Sequence, residues 1–188
     1  MEHFYPEIKS RAVFRAWLEQ NAKTECECFL QLRRGKPTEE NCLWYLDAVE
    51  EALCFGWIDS VQKKVDGVLV QRFSPRKPNG LWTELNKARV RRLEKLGLMT
   101  DGGRAVCPPT NAPFVPDADV TAELKKAKVW NVFCTFPPLY QRVRLYNVAF
   151  YKKRDPRAYS RALNNLIEQT RKGKMFGEWN DYGRLTEE

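Results

Sequence analysis

The chain has 188 residues, 43% of them hydrophobic and 30% charged, with a formal net charge of +8. This balance fits a soluble globular protein with room for one real core, or a core plus a helical extension, and no apolar run approaches the ~20 residues of a membrane span. The first residues, Met1-Glu-His-Phe-Tyr-Pro-Glu-Ile-Lys9, lack the basic-then-apolar pattern of a signal peptide, so a cytoplasmic protein with six reduced cysteines is expected.

In chain order, Ser10 is placed to cap a short helix with Val13, Phe14, Trp17 and Leu18 on one side. Residues 26–33 alternate as a strand does. Thr38 opens a stronger helix whose stripe is Leu43, Leu46, Ala48, Val49 and Leu53, with Gly56 suited to the left-handed position past its end. A hairpin follows, Trp57–Val65 and Val68–Ser74, turned by Asp66-Gly67. Pro75 and Pro78 end it, and Asn79 or Gly80 caps a helix running to about Leu96, stopped by Gly97. Prolines at 108, 109, 113 and 116 make 105–118 a linker or irregular arm. Helices over ~119–135, ~138–153 and ~156–172 are punctuated by Pro137-Pro138 and Asp155-Pro156. The predicted class is α+β: a small antiparallel sheet with a central hairpin packed on helices, then a C-terminal helical extension. The predicted organisation is a core over 1–104, the arm over 105–118, an extension over 119–176 packed on the core, and a frayed tail over 177–188.

Charge is unevenly spread. Residues 61–96 carry ten basic and three acidic side chains, and 141–176 carry ten and two, while 1–60 and 177–188 are net acidic. Such blocks are either solvated helix faces or contacts for an anionic partner.

The hairpin makes a chemical prediction. A two-residue turn at Asp66-Gly67 pairs Val65 with Val68, Lys63 with Val70, Val61 with Arg72 and Asp59 with Ser74. Alternation then gathers Trp57, Asp59, Val61, Arg72 and Ser74 on one valine-covered face. Asp59 and Arg72 there form either a salt bridge that fixes the register, or a ligand site in which Asp59 orients Arg72 beside Ser74. The site reading draws on Arg76 and Lys77, held between two prolines, and on a helix N-terminus near 80. Trp57 or Trp82 supplies a flat wall, and Asn86 lies one turn beyond Trp82. The expected ligand-binding set is Trp57, Asp59, Arg72, Ser74, Arg76, Lys77, Trp82 and Asn86. The expected partner is an anionic small molecule or an acidic protein.

Catalytic signatures are sparse. His3 is the only histidine, which argues against a histidine triad, a histidine–metal cluster or a histidine base. Cys26-x-Cys28 lacks a second ligand pair, and Cys54 sits at a helix C-terminus, where the dipole disfavours a thiolate. No P-loop or dinucleotide fingerprint is present. Asp47 and Asp59 remain as acid or base in principle. No cofactor and no metal are expected, and the balance leans away from an enzyme.

Four motifs, Cys54-Phe-Gly-Trp-Ile-Asp59, Ser74-Pro-Arg-Lys-Pro78, Trp82-Thr-x-x-Asn86 and Gly97-Leu-Met-Thr100, together resemble the YdeI/OmpD-associated family, also called bacteriocin-protection proteins. The likeness is clear over about 42–104 and looser over 10–41. Beyond Arg104 the proline-rich segment stands where that family continues into a helix, and Gly80 stands where its members usually have serine. The resemblance implies a small bacterial cytoplasmic protein linked to tolerance of antimicrobial peptides and envelope stress, without an agreed molecular activity. It also singles out Trp57, Asp59, Arg76, Trp82 and Asn86. Three functions are therefore expected to compete. One is a non-enzymatic anion- or partner-binding protein. The others are a nucleic-acid module using Lys87, Arg91 and Lys95 with stacking tryptophans, and an enzyme for an anionic small molecule with Asp59 as base.

Overall fold

The computed structural model describes residues 3–77, 80–109 and 112–185. The chain divides into two compact units: Met1–Leu81 with Arg89–Thr110, and Trp82–Ala88 with Asn111–Glu188. The fold is α+β, with a three-stranded antiparallel sheet and eight α-helices among the described residues.

The N-terminal unit starts with α1 (Arg11–Asn21), capped by the Ser10 side chain as its sequence predicts. Strand β1 is only Cys28–Leu30, shorter than the expected 26–33. Helix α2 spans Tyr45–Cys54 and starts well after Thr38. The reason is a backbone pairing across the loop: Arg33 donates to the Leu43 carbonyl at 2.9 Å, and Tyr45 donates to the Arg33 carbonyl at 2.8 Å. These bonds hold Trp44 extended, so no helix can pass through it. Leu43, Leu46, Ala48, Val49 and Leu53 are all buried, as their spacing predicts.

Strands β2 (Trp57–Val65) and β3 (Val68–Pro75) form the hairpin, and the sheet order is β1-β3-β2. Asp66 and Gly67 both have positive φ, at 48° and 81°, the mirror-type turn that matches strand twist. The predicted register holds from Val65↔Val68 to Gln62↔Gln71 and then slips. A β-bulge between Asp59 and Gln62 puts Asp59 opposite Phe73 and Ile58 opposite Ser74. Val61 is 62% exposed and does not lie on a covered face. The buried core against the sheet is instead Phe14, Leu18, Trp57 and Phe73, with the Phe14 and Phe73 rings 5.5 Å apart.

Helix α3 covers Glu84–Lys95. It begins later than 80 because Thr83 caps it, accepting from the Asn86 N–H at 3.1 Å; the alternative cap Asn79, like Pro78, lies outside the described residues. Helix α4 (Asp101–Ala105) was not predicted. It docks where the Thr100 hydroxyl both donates to the Cys54 carbonyl (2.7 Å) and accepts from the Gly103 N–H (3.3 Å). A Cβ on Gly103 would lie 2.2 Å from the Cys54 carbonyl oxygen, so this close approach requires glycine.

Three carboxylates of α2 are buried, and each has a guanidinium. Arg11 reaches Glu50 (2.8 Å), Glu51 (2.6 Å) and Asp47 (3.3 Å). Arg15 reaches Glu51 at 2.8 Å, and Arg92 of α3 reaches Glu50 at 2.9 Å. Asp47 is therefore part of a structural ion network and not an isolated acid.

The C-terminal unit holds α5 (Ala118–Lys126), α6 (Trp130–Phe133), α7 (Pro138–Tyr151) and α8 (Pro156–Arg171). The expected single helix over ~119–135 breaks at Lys128, whose φ is 58°. The core runs through Val120, Leu124, Phe133, Tyr140, Val148 and Leu166. Residues 177–185, expected to fray, hold a 3-10 turn at Asp181–Gly183 and bury Asp181 and Leu185; 186–188 lie outside the described residues.

Candidate functional site

The bulge decides which predicted residues meet. On β3 the side chains of Gln71 and Phe73 point to the helical side, so Arg72 and Ser74 point to the other. Asp59, partnered with Phe73, goes with the helical side. Asp59 and Arg72 are therefore on opposite faces of the sheet, which removes both the predicted salt bridge and the predicted orienting role. Arg72 is held instead by Glu27 (2.5 Å), with the Ser60 and Ser74 hydroxyls accepting at 3.3 and 3.2 Å.

The bulge is itself built by a side chain. Gln71, 3% exposed, donates its amide to the Ser60 carbonyl (2.9 Å) and the Val61 carbonyl (3.3 Å). Its amide oxygen accepts from Arg34 Nη2 at 2.8 Å. The Arg34 guanidinium lies 3.9 Å from the centroid of the Tyr45 ring. The Tyr45 hydroxyl, at the first turn of α2, donates to Asp59 Oδ2 at 2.7 Å. Burial first, and then the Asp59 charge, push the Tyr45 phenol up to about 12, and the nearby Arg89 and Arg34 oppose the rise.

Arg76 joins this group from the end of β3. It is 8% exposed, its N–H donates to the Gly56 carbonyl (2.8 Å), and Nη1 donates to the Leu81 carbonyl (3.3 Å). Burial lowers the guanidinium to about 10, and the charges of Asp59 and Cys107 oppose that shift. The structure thus brings Asp59 and Arg76 into one electrostatic neighbourhood, with Tyr45, Arg34, Gln71 and Arg89 as members that the sequence reading missed. A signal existed for one of them: Gln71 is an amide inside an apolar strand, whereas Tyr45 gains its place only because α2 starts later than its sequence suggests. Arg34 and Arg89 carry no distinguishing local pattern.

The other predicted residues have separate places. Trp57 is core, 1% exposed, its indole donating to the Ala22 carbonyl at 3.2 Å and its ring edge-on to Trp17; it lines no ligand site. Lys77 is exposed. Trp82 and Asn86 belong to the C-terminal unit, half-buried and buried respectively. Asn86 sits in the first turn of α3 beside buried Glu84, a carboxylate already placed at that positive helix end. Of the expected nucleic-acid contacts, Lys87 is tied to Glu84 at 2.8 Å, Arg91 is half-buried and Lys95 is exposed.

Cys54 is buried, and burial raises its thiol to about 12. Burial likewise raises Cys28, while Cys26 is exposed outside the strand. Neither pattern makes a nucleophile.

A family model described as a domain of unknown function (DUF8412) matches residues 6–106, the stretch that contains the sheet, α1 to α4 and the whole Tyr45–Asp59–Arg76 group. No curated protein and no solved structure matches the chain.

Proposed function

Since this chain belongs to the DUF8412 family, whose description names no activity, we propose from its geometry a non-enzymatic protein that binds an anionic ligand beside Tyr45, Asp59 and Arg76. The carrying observation is the hydrogen-bonded Tyr45–Asp59 pair at a β-bulge, with the Arg34 guanidinium 3.9 Å from the Tyr45 ring, the Arg89 charge felt at Tyr45 and the Asp59 charge felt at Arg76. Bulges re-aim side chains at the edges of functional sites. Here the bulge turns Asp59 away from Arg72 and toward α2. Guanidinium groups present planar donor forks suited to carboxylate or phosphate oxygens, and partial burial strengthens each such contact. Asp59 serves as the positioning group, with Oδ2 committed to Tyr45, which is why a base role for it is less favoured.

The biological setting proposed is the one the YdeI/OmpD-associated resemblance implies: tolerance of antimicrobial peptides or envelope stress, acting in the cytoplasm. No helix among the described residues is long and apolar enough to cross a membrane.

Calorimetric titration with pyrophosphate as the probe tests the site. Arg76→Gln should weaken binding tenfold or more, while Lys95→Ala, on the exposed end of α3, should leave it unchanged. Equal affinity of wild type and Arg76→Gln overturns the reading. The spacing of Lys87, Arg91 and Lys95 at successive turns of one helix supports a second reading, a nucleic-acid contact. Binding of fluorescent single-stranded DNA that persists at near-physiological salt and depends on Arg91 and Lys95 would transfer the conclusion to it.

A further inference from the structure

Helix α7 places Arg144, Asn147, Val148 and Tyr151 at successive turns of one face. Together with Ala162 and Asn165 of α8, and with Phe176 beyond its end, they line a half-open cavity of about 430 Å³ within the C-terminal unit. That volume is in the range of small-molecule sites, and the pattern is the usual one for them: mostly apolar and aromatic walls with a few polar groups.

The polar group that matters is Arg144. Its residue is 8% exposed, yet its Nε is buried without a hydrogen-bond partner, and Nη2 reaches only the Glu178 carbonyl, at 3.4 Å. Among the described residues, the Glu178 charge acts on it without an ion pair between them. The rings of Phe176 (4.5 Å) and Tyr140 (5.3 Å) answer part of its charge but accept no hydrogen bond from Nε. The Tyr140 hydroxyl is buried beside Arg144 and the Phe176 backbone without closing a well-aligned hydrogen bond to either. Buried charges in proteins are paired or bound to something, because an unpaired one is costly.

We propose that this cavity binds a small monocarboxylate with a flat apolar body, the carboxylate meeting Arg144 and the body lying against Phe176 and Tyr151. One buried cation matches one negative charge, whereas a phosphomonoester dianion would leave a surplus charge in an apolar site. The amides of Asn147 and Asn165 provide neutral hydrogen bonds that tolerate a monoanion. The excess of ten basic over two acidic side chains in 141–176 would draw such an acid in. Of the residues that line the cavity, Thr83 alone falls within 6–106, and none belongs to the Arg76 site.

The test uses the full chain and three probe acids, benzoate, indole-3-acetate and 2-naphthoate, each against its neutral amide, by calorimetry. At least one acid should bind tenfold or more tighter than its amide. Arg144→Met should erase that preference. Asn147→Asp, which sets a carboxylate one turn from Arg144 without removing it, should erase it as well and serves if Arg144→Met does not fold. Arg76→Gln should leave it intact. The proposal is overturned if no acid binds at millimolar concentration, if acid and amide bind alike, or if the preference survives Asn147→Asp or vanishes in Arg76→Gln.

Discussion

The two units treat buried charge in opposite ways. In the N-terminal unit Glu50 and Glu51 are almost fully buried, and each is met by two guanidiniums at 2.6 to 2.9 Å. In the C-terminal unit Arg144 is 8% exposed, and ring faces, a carbonyl and the nearby Tyr140 hydroxyl meet it, with the Glu178 charge acting from further off. A buried charge that carries its own partners belongs to the architecture. A buried charge without an ionic partner is poised for something that arrives.

The strongest way to break the comparison is to strand a charge in the N-terminal network. Glu50→Ala leaves Arg11 and Arg92 without their Glu50 partner, and should cost about 3–5 kcal/mol in urea unfolding. A cost under about 1 kcal/mol would mean the network is not what joins α1, α2 and α3. Next in size is Gly103→Ala. The new methyl meets the Cys54 backbone and not a yielding side chain, so overpacking of about 1–3 kcal/mol is expected. Arg144→Met should act differently from Glu50→Ala: no carboxylate is orphaned, and the replacement fills a similar volume, so stability should change by less than about 1 kcal/mol. A loss as large as that of Glu50→Ala would make Arg144 architectural and erase the contrast.

How much of this the sequence discloses depends on the range of the forces involved. Helix stripes such as Leu46, Val49 and Leu53 are legible because burial follows a short period. The Asp66-Gly67 turn is legible because its backbone demands positive φ. The bulge is not, since no glycine or proline marks it and its cause is Gln71, a residue of the facing strand. One extra residue there moved Asp59 across the sheet and dissolved a site drawn from perfect alternation. The late start of α2 is of the same kind, imposed by Arg33 pairing with Leu43 and Tyr45. Arg34 and Arg89 enter the site through the tertiary fold alone. Arg76 could be picked out locally, because a cation fixed beside a proline at a strand end is unusual whatever surrounds it.

The smallest expected effect concerns a charge pair that sits in water. Asp117 caps α5, accepting from the Asp119 and Val120 N–H groups at 3.0 and 3.1 Å, and Lys152, just past the end of α7, donates to it at 3.0 Å. Burial tends to raise its carboxyl, but the Lys152 ammonium and the two N–H groups prevail and hold it below its ordinary 3.8. A carboxyl lowered by folding stabilises the protein above its unfolded value, and that contribution is lost as pH falls through the folded value. Asp117→Asn keeps an acceptor for the cap and removes the charge. Its melting temperature should lie about 1–2 °C below wild type near neutral pH and converge with it as the pH falls below the carboxyl's ordinary value. Thermal melts from pH 7 to 2.5 decide the point. A gap that stays constant with pH would assign Asp117 to capping alone. Either outcome leaves the pair unlike Glu50 with Arg11 and Arg92, where burial makes the partner indispensable.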